Sequence, residues 1–129
     1  MREILFRGKK IEDRNQWVFG TYKFQYNLHT ICLAKPDFVG FDEHHVYETT
    51  LGQYTGLTDK NGNKIFEGDI VIYPWEKDNL ILFKIEYDNG SFLAVPKEVT
   101  DDVWSFTIGG YTSKIEVVGN IYDNLELWF

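Results

Sequence analysis

Three histidines and one cysteine hold most of the metal-binding and nucleophilic potential of this 129-residue chain. In the run Phe41-Asp42-Glu43-His44-His45-Val46-Tyr47-Glu48, an extended backbone puts Asp42, His44 and Glu48 on one face and Glu43 and His45 on the other. A mixed imidazole and carboxylate set of that kind suits a divalent cation. The spacing matches no recognised zinc pattern, so the run reads as a polar loop or an exposed edge strand. Cys32 lies three residues from His29, which places the two on opposite faces of a strand and argues against a nucleophile–base pair. A buried, inert thiol is the better reading. No G-x-S-x-G occurs, and Ser91, Ser105 and Ser113 stand in turn-like contexts. The 20 acidic residues leave a general acid–base pair open without singling one out. Gly109-Gly110 near Lys114 fits a glycine turn better than a phosphate cradle. No catalytic residue, metal ligand or cofactor is therefore assigned.

The most patterned stretch is QYTGLTDKNGNKIFEGDIV, residues 53–71. A phosphate-binding P-loop needs G-x-x-x-x-G-K followed by Ser or Thr, which neither of the first two glycines supplies. A calcium loop needs alternating acids or amides followed by Gly. Asp59, Asn61 and Asn63 alternate, but Gly62 falls between the last two. Asp59-Lys60-Asn61-Gly62 instead fits a type I turn closed by a left-handed glycine. Glu67-Gly68-Asp69 is a second turn, and Ile70-Val71-Ile72-Tyr73 a strand after it. Binding potential of another kind lies in Tyr73, Trp75, Trp104 and Tyr111, which could form an aromatic platform for peptides or nucleic acids. Core packing explains each ring equally well or better when taken singly. Trp75, between Pro74 and the polar run Glu76-Lys77-Asp78-Asn79, is the ring expected to be partly exposed.

The elements that must position these residues are strands. In residues 17–26, Val18, Tyr22, Phe24 and Tyr26 share one face, with a period of two. Ile4 and Phe6, residues 29–33 and residues 46–50 are further strand candidates. The clearest hairpin covers residues 80–95, because Asn89-Gly90 is a strong two-residue turn signal. That turn sets Tyr87 opposite Phe92 and Ile85 opposite Ala94 on an apolar core side that extends to Phe83 and Ile81, with Glu86 opposite Leu93 and Lys84 opposite Val95 on the other. Ile115, Val117 and Ile121 mark a late strand. The tail, residues 123–129, is either a turn of helix or a last strand. Pro36, Pro74 and Pro96 are expected at loops or strand ends.

At these residues the chain resembles the YopX family of bacteriophage and prophage proteins. QYTGLTDKNGNKIFEGDIV carries most of the resemblance. Glu86-Tyr87-Asp88-Asn89-Gly90, Val117-Val118-Gly119-Asn120-Ile121-Tyr122-Asp123-Asn124, and Ile4-Leu5-Phe6-Arg7-Gly8 with Trp17-Val18-Phe19-Gly20 extend it over nearly the whole chain. The resemblance implies a mainly β protein with an SH3-like portion, encoded by a phage or prophage, and it carries over no reaction and no catalytic residue. The expected fold is mainly β, with an N-terminal β lobe (residues 1–52) packed with a C-terminal SH3-like barrel (residues 53–129).

Composition bounds the function. Hydrophobic content of 43% and charged content of 26% are globular. The net charge of −7 disfavours nucleic acid as a partner, since phosphate binding needs a basic footprint. A single cysteine fits a reduced cytoplasmic compartment, which the resemblance implies is that of a bacterial host, and no run approaches the roughly 20 apolar residues of a membrane span. Four Trp, eight Tyr and ten Phe exceed what a small core hides, so some rings are expected at an interface. The reading that follows is a non-enzymatic accessory module that self-associates, most simply as a two-fold dimer, and binds a host or phage protein. The alternatives are a nucleic-acid-binding barrel and a metal-dependent hydrolase or nuclease.

Overall fold

The computed structural model describes residues 3–34, 40–76 and 79–129. Pro36, Lys77 and Asp78, and with the last two the middle of the polar run after Trp75, lie outside the described residues. The chain forms β1 (Phe6–Lys9), β2 (Trp17–Gln25), β3 (Leu28–Ala34), β4 (Phe41–His45), β5 (Gly52–Thr58), β6 (Lys64–Phe66), β7 (Asp69–Glu76), β8 (Asn79–Asp88), β9 (Ser91–Pro96), β10 (Phe106–Thr107), β11 (Glu116–Asn120) and one short helix, α1 (Leu125–Trp128). It divides into two compact units, Met1–Tyr54 and Thr55–Phe129. The mainly β expectation is borne out.

In the first unit β4, β3, β2 and β1 pair in that order, and β1 pairs on its other side with Gly52 and Gln53 at the start of β5, all antiparallel. Val18, Ile31 and Val46 are its buried centre, flanked by Phe6, Tyr22, Leu33 and Leu51. Two expectations need correction here. Tyr26 is not a strand residue: with Asn27 it makes the turn of the β2–β3 hairpin, at φ 55° and 60°. Residues 46–50 are not a strand either. Val46 makes an isolated bridge to Lys10, and Glu48–Thr50 is a 3-10 turn. The Thr50 hydroxyl explains the turn: it donates to the Tyr47 carbonyl at 2.7 Å while accepting the Lys9 N–H at 2.9 Å.

In the second unit five strands pair in the order β10-β9-β8-β7-β11. The sheet stays open, so the SH3-like barrel closes nowhere among the described strands. The reason is local. β10 has only two residues, and the segment around it turns across the sheet by a 3-10 turn at Ile108–Gly110 instead of extending the ladder. One face of the sheet is the core. By register, Val71 of β7, Phe83 and Ile85 of β8 and Ala94 of β9 lie together, and Ile65, Val103, Ile108 and Ile115 close over them. The β8–β9 hairpin has the register that its turn dictates, including Tyr87↔Phe92 and Ile85↔Ala94. Asn89 and Gly90 have φ of 51° and 82°, the two positive values of a type I′ turn. Pro74 departs from expectation by lying inside β7, where a register irregularity between Pro74 and Glu76 accommodates its missing N–H. The tail resolves as helix α1.

The turn 59–63 has the expected shape, with the Gly62 N–H on the Asp59 carbonyl at 3.0 Å and Gly62 at φ 84°. Its importance lies in the buried Asp59 side chain. Oδ1 accepts the backbone N–H groups of Asn61 and Asn63, both at 2.9 Å. Oδ2 accepts the Val117 N–H of β11 at 2.9 Å and the Asn63 amide at 3.4 Å. Burial alone would push this carboxyl up, but the N–H donors from Val117, Asn63 and Asn61 outweigh burial and hold it below the ordinary carboxylate range. Gly68 sets the next turn at φ 87°, and a Cβ there would stand 2.8 Å from the Tyr122 ring.

Two outcomes test these turns. Gly90→Val meets no neighbour within 4 Å, so its whole cost is backbone strain at positive φ. It should lower stability by about 1–3 kcal/mol, read as a lower urea midpoint. Asp59→Asn places an amide donor against N–H groups that need an acceptor, and should cost about 1–3 kcal/mol at neutral pH. Because the folded-state carboxyl titrates below its unfolded value, its contribution is present above roughly pH 4 and is lost as pH falls through the folded-state value. The gap in urea midpoint between wild type and Asp59→Asn should therefore narrow in acid.

Candidate functional site

The four aromatic residues singled out in the sequence converge. Tyr73 and Trp75 project from the same face of β7 by strand alternation, beyond the fully buried Val71. Phe106, on β10 opposite Ala94, is a fifth ring on that face. Trp104 and Tyr111 come from the segment that crosses the sheet. Together the five line one pocket of about 230 Å³. Its walls meet at steep angles: Trp75 and Trp104 stand at 90° with centroids 5.1 Å apart, and Tyr73 and Tyr111 at 83° and 5.7 Å. Phe106 leans on Tyr73 at 5.1 Å and on Tyr111 at 4.8 Å.

The pocket is an extension of the core. Phe83, wholly buried, lies 5.1 Å from Phe106 and 5.9 Å from Trp75, so the inner rings rest on a fixed floor. The Trp75 indole N–H donates to the Asp102 carbonyl at 2.7 Å. The Thr100 hydroxyl accepts the N–H groups of Asp102 and Val103, both at 3.2 Å, which shapes the segment carrying that carbonyl. Trp75 is half-buried, as expected of a partly exposed ring, but Trp104 at 59% and Tyr111 at 41% are the exposed walls. The sequence missed Phe106, whose only signal was a β-type residue between two turn-forming runs.

The histidine region resolves differently. His45 Nδ1 lies 3.1 Å from the Thr30 hydroxyl on the paired strand, and Glu43 pairs with Lys23. His29 is held on both ring nitrogens: Nδ1 is 2.6 Å from the Tyr22 hydroxyl, and Nε2 is 3.5 Å from Glu48. Burial, and then the Glu48 carboxylate, push the Tyr22 phenol up, so it stays protonated against the His29 ring. A phenol shifted that way is a poor nucleophile, and the chain Tyr22–His29–Glu48 serves to lock β2 onto β3. Cys32 is half-buried, less enclosed than expected, and pairs across the sheet with Thr21 and Glu43. Among the described residues, no three of His, Cys, Asp and Glu are grouped to hold a metal ion. Asp59 offers no calcium site, since its two oxygens already accept four N–H donors. A second cavity of about 370 Å³, lined by Ile11, Glu12, Leu28, Glu43, His44 and His45, has no comparable convergence of rings or fixed donors.

Among the described residues no helix is long and apolar enough to cross a membrane. No curated protein matches the chain. A solved structure, the crystal structure of protein EF1440 from Enterococcus faecalis, is similar over 100% of both chains, with a TM-score of 0.60 and 24% identity, a likeness of fold. Residues 5–128 match the YopX protein family. With nearly its whole length inside that match, the chain belongs to the YopX family.

Proposed function

We propose that this chain is a non-enzymatic phage or prophage accessory protein of the bacterial cytoplasm, and that it binds another protein through the aromatic pocket of its second unit. The pocket carries the reading. Five rings converge at one margin of the core face, and two of them face solvent. Exposed aromatic pockets with a rigid floor are what protein partners use as anchor sites. A volume near 230 Å³ suits a side chain or two better than a cofactor. Family membership supports the phage association. Neither alternative gains from the geometry: His29 is engaged with Tyr22 and Glu48, His45 with Thr30 and Glu43 with Lys23, and the chain's charge repels nucleic acid.

Self-association is part of the same proposal. The tip of the β2–β3 hairpin exposes Phe24, Tyr26 and Leu28, the second at 85%. Three large apolar groups at one tip favour contact with a second copy. The Trp17 face has less need of one, because the Arg7 guanidinium and the Lys9 ammonium already lie 4.7 and 5.3 Å from its ring centre.

A random-peptide display selection on the wild-type protein should enrich binders that are lost on Trp104→Ala. That variant should keep its fold, since Trp104 is more than half exposed. Enrichment that survives the substitution would remove the pocket from the function. Sedimentation across a concentration series should show a dimer that Tyr26→Ser weakens, and a monomer mass at high micromolar concentration would end the self-association proposal.

A further inference from the structure

The ligand class of the pocket follows from its walls and its charge. We infer that it receives a positively charged side chain, a lysine ammonium (free or methylated) or an arginine guanidinium, presented by a partner protein; this rests on the protein-binding reading above. Aromatic rings carry negative potential on their faces, so a box of rings at steep angles surrounds a cation with favourable surface. Here the walls are Trp75 against Trp104 at 90° and Tyr73 against Tyr111 at 83°, with Phe106 between. A flat platform of parallel rings would favour a base or another ring instead.

Charge points the same way. Residues 55–129 contain thirteen Asp and Glu against six Lys, whereas residues 1–54 contain seven acidic and seven basic residues. The whole net charge of −7 therefore belongs to the unit that bears the pocket. Asp101 and Asp102 are exposed and lie three and two residues before the pocket wall Trp104. No basic side chain lines the pocket among the described residues. The Asp102 carbonyl is held at its edge by the Trp75 indole, which adds a fixed negative dipole. An acidic surround draws a basic segment in, and the ring box then accepts one of its cations.

The test uses two small molecules of the same shape. Choline carries a trimethylammonium group, and 3,3-dimethylbutan-1-ol replaces its nitrogen by carbon and is neutral. Each is titrated into the full chain at constant ionic strength while the Trp75 and Trp104 indole resonances are followed by NMR. Choline should shift both with a saturating curve, about fivefold or more tighter than the alcohol. Trp104→Ala should abolish the saturation, and Trp104→Phe, which restores a ring, should recover part of it. Equal or tighter binding of the alcohol overturns the cation assignment and leaves an apolar anchor pocket standing. If neither compound shifts the indoles at tens of millimolar, the cation assignment also falls, and the peptide selection alone decides whether the pocket binds protein.

Discussion

The carboxylate of Asp59 accepts four N–H groups, three from its own turn and one from β11, a strand 58 residues further along the chain. Few single groups could join so much. The turn would keep its glycine without Asp59, but would lose its tie to the Val117 N–H of β11. The neighbouring Lys60 N–H reinforces the join by donating to the Ile115 carbonyl at 3.0 Å. Around it the other patterned residues fall into place. The Gly68 carbonyl accepts the Ile121 N–H, and its N–H reaches Ile85 of β8. The Asn120 side chain accepts the N–H groups of Tyr122 and Asp123, and the Asn124 side chain accepts that of Asn120. Two separated strings of sequence, residues 59–68 and 115–124, thus form one polar seam along the β7–β11 edge. The glycines and amides there serve turns and close approach.

That seam fixes the β11 side of the sheet. The core face is sealed at Phe83 and Ile85, yet toward the end of β7 it continues as Tyr73 and Trp75 with no strand left to cover them. A two-residue β10 and a 3-10 turn bring Phe106, Trp104 and Tyr111 over as a partial cover. The pocket is the gap that such a short cover leaves. It is rigid at its floor for the same reason that the core is.

What was legible in the sequence was local. Asn89-Gly90 dictated both its turn and the register of six residue pairs, because a two-residue loop admits one pairing. The turn at Gly62 and the strand after Gly68 could be read in the same way. Tyr26-Asn27 makes the same kind of turn without glycine, and the alternation running through Phe24 into Tyr26 hid it. Residues 46–50 alternate like a strand, but the Thr50 hydroxyl captures the backbone and bends it. The barrel was overread because closure depends on how far β10 extends, which no residue pattern encodes. The aromatic residues were found, but their convergence was not derivable: it depends on how residues 97–111 cross the sheet, and Thr100, Asp102 and Trp75 settle that through backbone groups. The role of Asp59 was invisible for a related reason, since its decisive donor is a backbone N–H far along the chain.

The distance between Asp59 and Val117 also has a meaning in time. At synthesis rates of about 5–20 residues per second, some 3–12 seconds separate the making of the carboxylate from the making of its partner. During that interval the β8–β9 hairpin, closed by a two-residue turn, can form within microseconds. β7 meanwhile has one edge paired and one edge bare. A bare edge is a place where a nascent chain can pair wrongly with a neighbour on the same message. Asp59, already ionised beside that edge, keeps a charge there until β11 arrives to claim it. The residue that later binds the last strand would thus discourage any other strand from taking its place.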